Sequence, residues 1–186
     1  MAKEDLPAPE EIRKLLRYEP DTGKLYWLER KPDMFNASKC STEAACRRWN
    51  TRHAGKEAFI SKTKDGYLTG RIFRRDFRAH RVIWAMVNSE WPREIDHING
   101  VKDDNRVENL RAVTHIENCK NQKLPKSNTS GHMGVIWHKQ TCKWTAQIKI
   151  NNRQVYLGLF TKKDDAIAAR KAAEVKYGFH ENHGRS

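Results

Sequence analysis

The chain has 186 residues, 38% of them hydrophobic, with 36 Lys and Arg against 23 Asp and Glu and a formal net charge of +13. No stretch nears the roughly 18 apolar residues of a membrane span, and the opening MAKEDLPAPEEIRKLL lacks the apolar core of a secretory signal. The charge favours a polyanionic partner, nucleic acid ahead of an anionic membrane surface.

In chain order, PAPEEIRKLLRYEPDTG predicts a short helix from about Pro9 to Arg17, with Ile12, Leu15 and Leu16 on its apolar face, and then a turn. KLYWL reads as a strand. A short helix is expected from Ser41 to Trp49, and the basic, aromatic RRWNTR at its end could touch phosphate or be no more than a solvated face. Cys40, Cys46 and His53 could be gathered around zinc, but Cys40, Cys46, Cys119 and Cys142 are far apart and lack CxxC spacing. They read as reduced thiols, and no structural zinc is expected. Alternation around KDG in GKEAFISKTKDGYLTGRIFRRDFR predicts an antiparallel hairpin. AHRVIWAMVNSEWP predicts a core helix with Val82, Ile83, Met86 and Val87 on its buried stripe and with Trp84 and Trp91 as packing residues.

EIDHINGVKDDNRVENLRAVTHIENCKN follows. EIDHI and LRAVT are strand candidates joined by a turn in which Asn99 and Asn105 close the backbone, and Thr114 with Glu117 has capping-box spacing for a helix carrying Asn118 and Asn121. Asp96 and His97, adjacent on one strand, point to opposite sides of it. A hard cation takes oxygen ligands and keeps several waters, so the Asp96 carboxylate and the Asn118 amide oxygen could hold Mg²⁺ together with phosphate oxygens. His97, with an ordinary pKa near about 6.5, could deprotonate the attacking water. Asn109 could fix the His97 ring through its second nitrogen or through the neighbouring backbone. The bland alternative is a polar hairpin whose amides only close turns.

AHRVIWAMVNSEWPREIDHINGVKDDNRVENLRAVTHIENCKN, residues 79–121, resembles the HNH endonucleases, in particular the homing branch of phages and introns. The resemblance implies a ββα-metal fold with one divalent cation, Mg²⁺ or alternatively Mn²⁺, and cleavage or nicking of double-stranded DNA in the cytoplasm of a bacterial cell. It matches His97 to the general base, Asn109 to the central Asn, and Asp96 and Asn118 to the metal ligands. His80 matches an upstream histidine that contacts phosphate or bonds within the core, and Arg81 and Arg106 are further candidates for DNA contact.

LPKSNTSG, residues 124–131, has linker composition. Beyond it, MGVIWHK, KWTAQIKI and RQVYLGLF are three strand patterns, and TKKDDAIAARKAAEVKYG is a helix expected to open on Thr161 with Asp164 and close at Gly178. Alternation puts Trp144, Ala146, Ile148 and Ile150 against that helix and Lys143, Thr145, Gln147 and Lys149 on a polar face that continues through His138, Gln154 and Tyr156. Residues 130–178 resemble the AP2 DNA-binding domain, which implies that His138, Lys143, Gln147, Lys149, Arg153, Gln154 and Tyr156 face DNA. Met133 and Ile136 depart from the family's arginines.

The expected class is therefore α+β: an N-terminal region with a small antiparallel sheet (1–78) that could touch DNA, a ββα-metal core (79–123), a linker (124–129), and a three-stranded antiparallel sheet on one helix (130–182). The expected function is a metal-dependent, homing-type DNA endonuclease, monomeric with a dimer left open. A DNA-binding regulator on the same scaffold and an enzyme acting on RNA are the alternatives.

Overall fold

A computed structural model describes residues 6–36, 41–151 and 153–185. Cys40, part of the zinc alternative, lies outside the described residues. The chain divides into two compact units, one of Met1–His97 with Val101–Ala112 and one of Ile98–Gly100 with Val113–Ser186. Helices and small antiparallel sheets are mixed in the chain, consistent with an α+β protein.

The first unit begins with α1 (Pro9–Arg13), opened by a proline in its first turn and by Glu10 and Glu11 at its positive dipole end. It stops four residues before the expected Arg17. Leu16–Glu19 instead forms β1, which pairs antiparallel with β2 (Lys24–Trp27), and the ladder satisfies the backbone while Leu15 and Leu16 remain buried. β2 also pairs with β3 (Glu57–Ala58). Between them, α2 (Thr42–His53) is capped by Ser41 Oγ, which accepts from the Ala44 amide, and runs past the expected Trp49. The Asn50 amide bridges it to both backbone groups of Arg30, and the buried Cys46 thiol donates to the Arg30 carbonyl.

A second antiparallel sheet holds β4 (Ser61–Lys62), β5 (Leu68–Ile72) and β6 (Arg75–Arg78). The KDG turn lies between β4 and β5. The β5–β6 turn places Phe73 and Arg74 at φ 49° and 61°, a conformation that β-hairpins usually give to Asn-Gly. α3 (Ala79–Asn88) buries Val82, Ile83 and Met86 as its periodicity predicts, but Val87 is 45% exposed, because the covered stripe is completed by Ala79 and Ala85 instead. At the C-terminus of α3 the Arg13 guanidinium donates to the Met86 carbonyl and to Ser89 Oγ, supplying partners that the last helical turn lacks. One apolar core joins Ile12, Leu16, Leu25, Phe59, Ile72, Phe77, Ile83 and Leu110. Leu110 opens β8 (Leu110–Val113), which pairs with β7 (Glu94–His97), so the two strands around the Asp-His pair are rooted in the same core as the N-terminal hairpin.

The second unit contains α4 (His115–Cys119), whose N-cap Thr114 and Glu117 form the capping box that their spacing predicts. An antiparallel sheet of β9 (Val135–His138), β10 (Lys143–Ile150) and β11 (Arg153–Phe160) packs on α5 (Lys163–Lys176). Val135, Ala146 and Ala166 are its buried centre, with Trp144, Leu157, Phe160 and Ile167 around them. α5 starts after Lys162, which makes no side-chain cap, and not on Thr161; Asp164 and Asp165 meet the helix dipole in its place.

Candidate active site and nucleic-acid interface

Asp96 and His97 end β7, and both are buried, at 8% and 4% exposure. Consecutive strand residues face opposite ways, so each needs its own cover. For His97 this is a ring cluster, with the Tyr67 and His80 ring centres at 5.8 and 5.0 Å. His97 Nε2 lies 3.1 Å from Oδ1 of Asn105, a wholly buried side chain. An amide oxygen only accepts, so this contact favours the tautomer with the ring proton on Nε2. Burial pushes the His97 pKa down, while the Asn105 bond and the Asp96, Asp104 and Asp103 carboxylates pull the other way. Asn105 Nδ2 is buried without a hydrogen-bond partner among the described residues, a cost of about 1–3 kcal/mol in a typical protein.

His80, in the first turn of α3, is 4% exposed and is packed against Tyr67 and His97. Burial, then repulsion from His97, Arg78 and Arg81, pushes its pKa to about 3, so its ring is neutral. Its Nδ1 is buried without a hydrogen-bond partner among the described residues.

The turn after β7 is tied down along its length. Lys62 pairs with Asp103 at 2.7 Å, and Lys102 Nζ donates to the Asp65 carbonyl at 2.9 Å. The Tyr18 hydroxyl accepts from the Val107 amide at 2.9 Å and donates to the Asn105 carbonyl at 3.2 Å. Gly23, at φ +70°, comes so close that a Cβ there would stand 2.6 Å from the Arg106 nitrogen. Asn109 donates from Nδ2 to the Asp104 carbonyl at 2.8 Å. Asn105, read from the sequence as turn-forming, thus meets the histidine ring, while Asn109 braces the backbone beside it. Nothing local distinguishes the two amides; only the fold of the turn brings Asn105 under β7.

Asp96 faces Arg111 on β8, which donates from Nε and Nη2 to Asp96 Oδ2 at 3.1 and 2.8 Å. Sequence reasoning missed Arg111, whose signal is only its place on the strand paired with β7. The carboxylate oxygen already holds a positive group, which is the chemistry a divalent cation would need from it. Among the described residues no group of three or more His, Cys, Asp or Glu could hold a metal. A hard cation that keeps its waters requires fewer protein ligands than that, and a buried carboxylate such as that of Asp96 is the kind of oxygen donor it takes. Asn118 lies on α4, in the second unit, whereas Asp96, His97 and Asn109 lie in the first.

Several basic candidates for DNA contact already have partners. Arg81 donates to the Pro92 and Arg93 carbonyls. Arg106 forks onto Asp104 at 2.8 Å and reaches Glu108 at 3.1 Å, and these carboxylates raise its pKa further. On the C-terminal sheet, register aligns Lys143 with His138, Gln147 with Tyr156, Lys149 with Gln154, and Ile150 with Arg153. A bulge between Ala146 and Gln147 shifts the register without turning the polar residues inward. His138, Lys149, Arg153, Gln154 and Tyr156 are exposed, and Lys143 and Gln147 are half-buried. Gln147, Lys149 and Gln154 also border a cleft of about 620 Å³ with His115, Ile116 and Lys120.

Residues 77–120 match the family model of the HNH endonuclease. The chain is also 37% identical over 79 residues to Protein 3.8 of Escherichia phage T7, an alignment covering 41% of this chain and 65% of that protein. The aligned part thus falls short of two thirds of the relative's length, and the relative's name states no activity. No solved structure matches the chain.

Proposed function

We propose that this chain, which carries an HNH endonuclease-family domain at residues 77–120, is a homing-type nuclease hydrolysing phosphodiester bonds of double-stranded DNA. The observation that carries the reading is His97: a buried imidazole beside Asp96, whose burial favours the neutral base and whose Nε2 is committed to Asn105. Nδ1 takes the proton of the attacking water, and the resulting imidazolium is stabilised by the Asn105 carbonyl and by the neighbouring carboxylates. Asn109 keeps the turn in shape through Asp104. Asp96 is the protein carboxylate for one divalent cation, Mg²⁺ or Mn²⁺, with Asn118 assigned as second ligand on motif spacing alone. When bound, the cation supplies charge stabilisation at the phosphate and at the departing oxygen.

The exposed row of Lys149, Arg153, Gln154 and Tyr156 on an antiparallel sheet backed by one helix supports an AP2-like DNA-binding role for the C-terminal module. The +13 charge supports it too, since residues 127–186 carry +6 and the rest +7, so both modules can lie along one duplex. One active site per chain suits nicking by a monomer.

The test is incubation of supercoiled plasmid with Mg²⁺ or Mn²⁺, with and without chelator, beside His97→Ala. Relaxed circles are expected from wild type, none with chelator, and a rate lower by about 10²–10⁴ from the variant, the usual worth of a general base. A plasmid left supercoiled by wild type with either metal defeats the nuclease reading.

A further inference from the structure

Asp96 and Arg111 form a pair that the proposed reaction has not used. Both guanidinium donors converge on Oδ2, at 3.1 and 2.8 Å, while the Asp96 side chain is 10% exposed and that of Arg111 is 32% exposed. A carboxylate so buried needs a compensating charge at all times. The guanidinium is the member with access to solvent and the longer side chain, so it can turn outward. Arg106, the neighbouring arginine of the turn, is instead forked by Asp104 and reaches Glu108, whereas Arg111 pairs with Asp96.

We propose that Arg111 is a phosphate-binding residue that guards Asp96, occupying Oδ2 and disfavouring a divalent cation until a nucleic-acid phosphate draws the guanidinium away. The inference rests on the reading of Asp96 as a cation ligand. A guanidinium and a divalent ion on one carboxylate oxygen repel each other, so the resident arginine lowers cation affinity. A phosphate offers the planar fork two oxygens in matched geometry and takes over its charge. Once the fork has moved, Oδ2 no longer holds the guanidinium that repels a cation, and a cation binds it more tightly. Linkage makes the effect reciprocal, so the cation also tightens phosphate binding.

The test measures Mn²⁺ binding to the full chain by electron paramagnetic resonance, in a His97→Ala background so that added duplex stays intact. Without nucleic acid, Arg111→Gln is expected to bind Mn²⁺ at least about tenfold tighter than its parent, and adding Asp96→Asn should remove the gain. A short duplex should raise the Mn²⁺ affinity of the parent and raise that of Arg111→Gln less. Arg111→Lys, which retains the charge, serves if the glutamine variant does not fold, and should bind Mn²⁺ within about threefold of the parent without duplex but lose part of the duplex-induced gain. If Asp96→Asn abolishes binding while a folded Arg111→Gln binds Mn²⁺ no more tightly than its parent, the guard fails and the Asp96 reading stands. A lysine variant that keeps the full duplex-induced gain likewise overturns the guard. Mn²⁺ binding untouched by Asp96→Asn defeats the underlying reading and the guard with it.

Discussion

His80 is a neutral ring by virtue of its surroundings, and this has a consequence for stability. Its folded pKa of about 3 lies below the ordinary value of 6.5, so between these values the unfolded chain binds the extra proton. Stability from this group is full above about pH 6.5 and is lost as pH falls toward about 3, at about 1.4 kcal/mol per pH unit. The lowered pKa of His97 acts in the same sense. Urea unfolding should show wild type losing stability from pH 6.5 to 5, with His80→Phe losing markedly less; an equal loss in both would show that His80 is not the source. At this scale the sequence was partly legible. The Asp-His dipeptide and its spacing to later asparagines single out a segment, because the proposed chemistry would need those side chains wherever they fold. Asn105 and Arg111 were not legible as partners, since each acts through proximity made by the turn and by strand pairing.

The turn from Val101 to Asn109 is held by elements distant in sequence as well as by its own residues. Tyr18 on β1 both accepts from Val107 and donates to the Asn105 carbonyl, and burial raises its phenol pKa. Tyr18→Phe removes both bonds and leaves a donor and an acceptor unpaired. It is expected to destabilise the fold by about 1–3 kcal/mol, seen as a lower urea midpoint, and to slow cleavage if Asn105 sets the His97 ring. An unchanged midpoint would mean that the hydroxyl does not brace the turn. Elements whose cause is local were visible in the sequence: the Thr114–Glu117 capping box, the alternation of KWTAQIKI and the strand pattern of RQVYLGLF, which give β10 and β11 end to end. Elements decided by pairing were not. α1 yields its expected last turn to β1 because β2 is available to pair with it.

Across the whole molecule, positive charge is spread over both compact units, and the exposed Lys149 and Arg153 are cations with which the C-terminal sheet could meet a duplex. Lys149→Ala with Arg153→Ala should weaken duplex binding at low salt and reduce the slope of log affinity against log salt by about 1 for each phosphate that is no longer neutralised, without altering the fold. A slope equal to that of wild type would remove this face from the interface. The limit of the sequence at this scale lies in where the chain can be cut. HNH-family similarity ends at residues 77 and 120, yet Gly23 packs so tightly on the Asn105–Arg106 backbone that no side chain fits between them. The motif is therefore not portable by itself. Moved to another scaffold without the β1–β2 hairpin, it would keep every residue of its signature and lose the surface against which its turn is moulded, so inheritance of the shape of this turn is bound to inheritance of that hairpin.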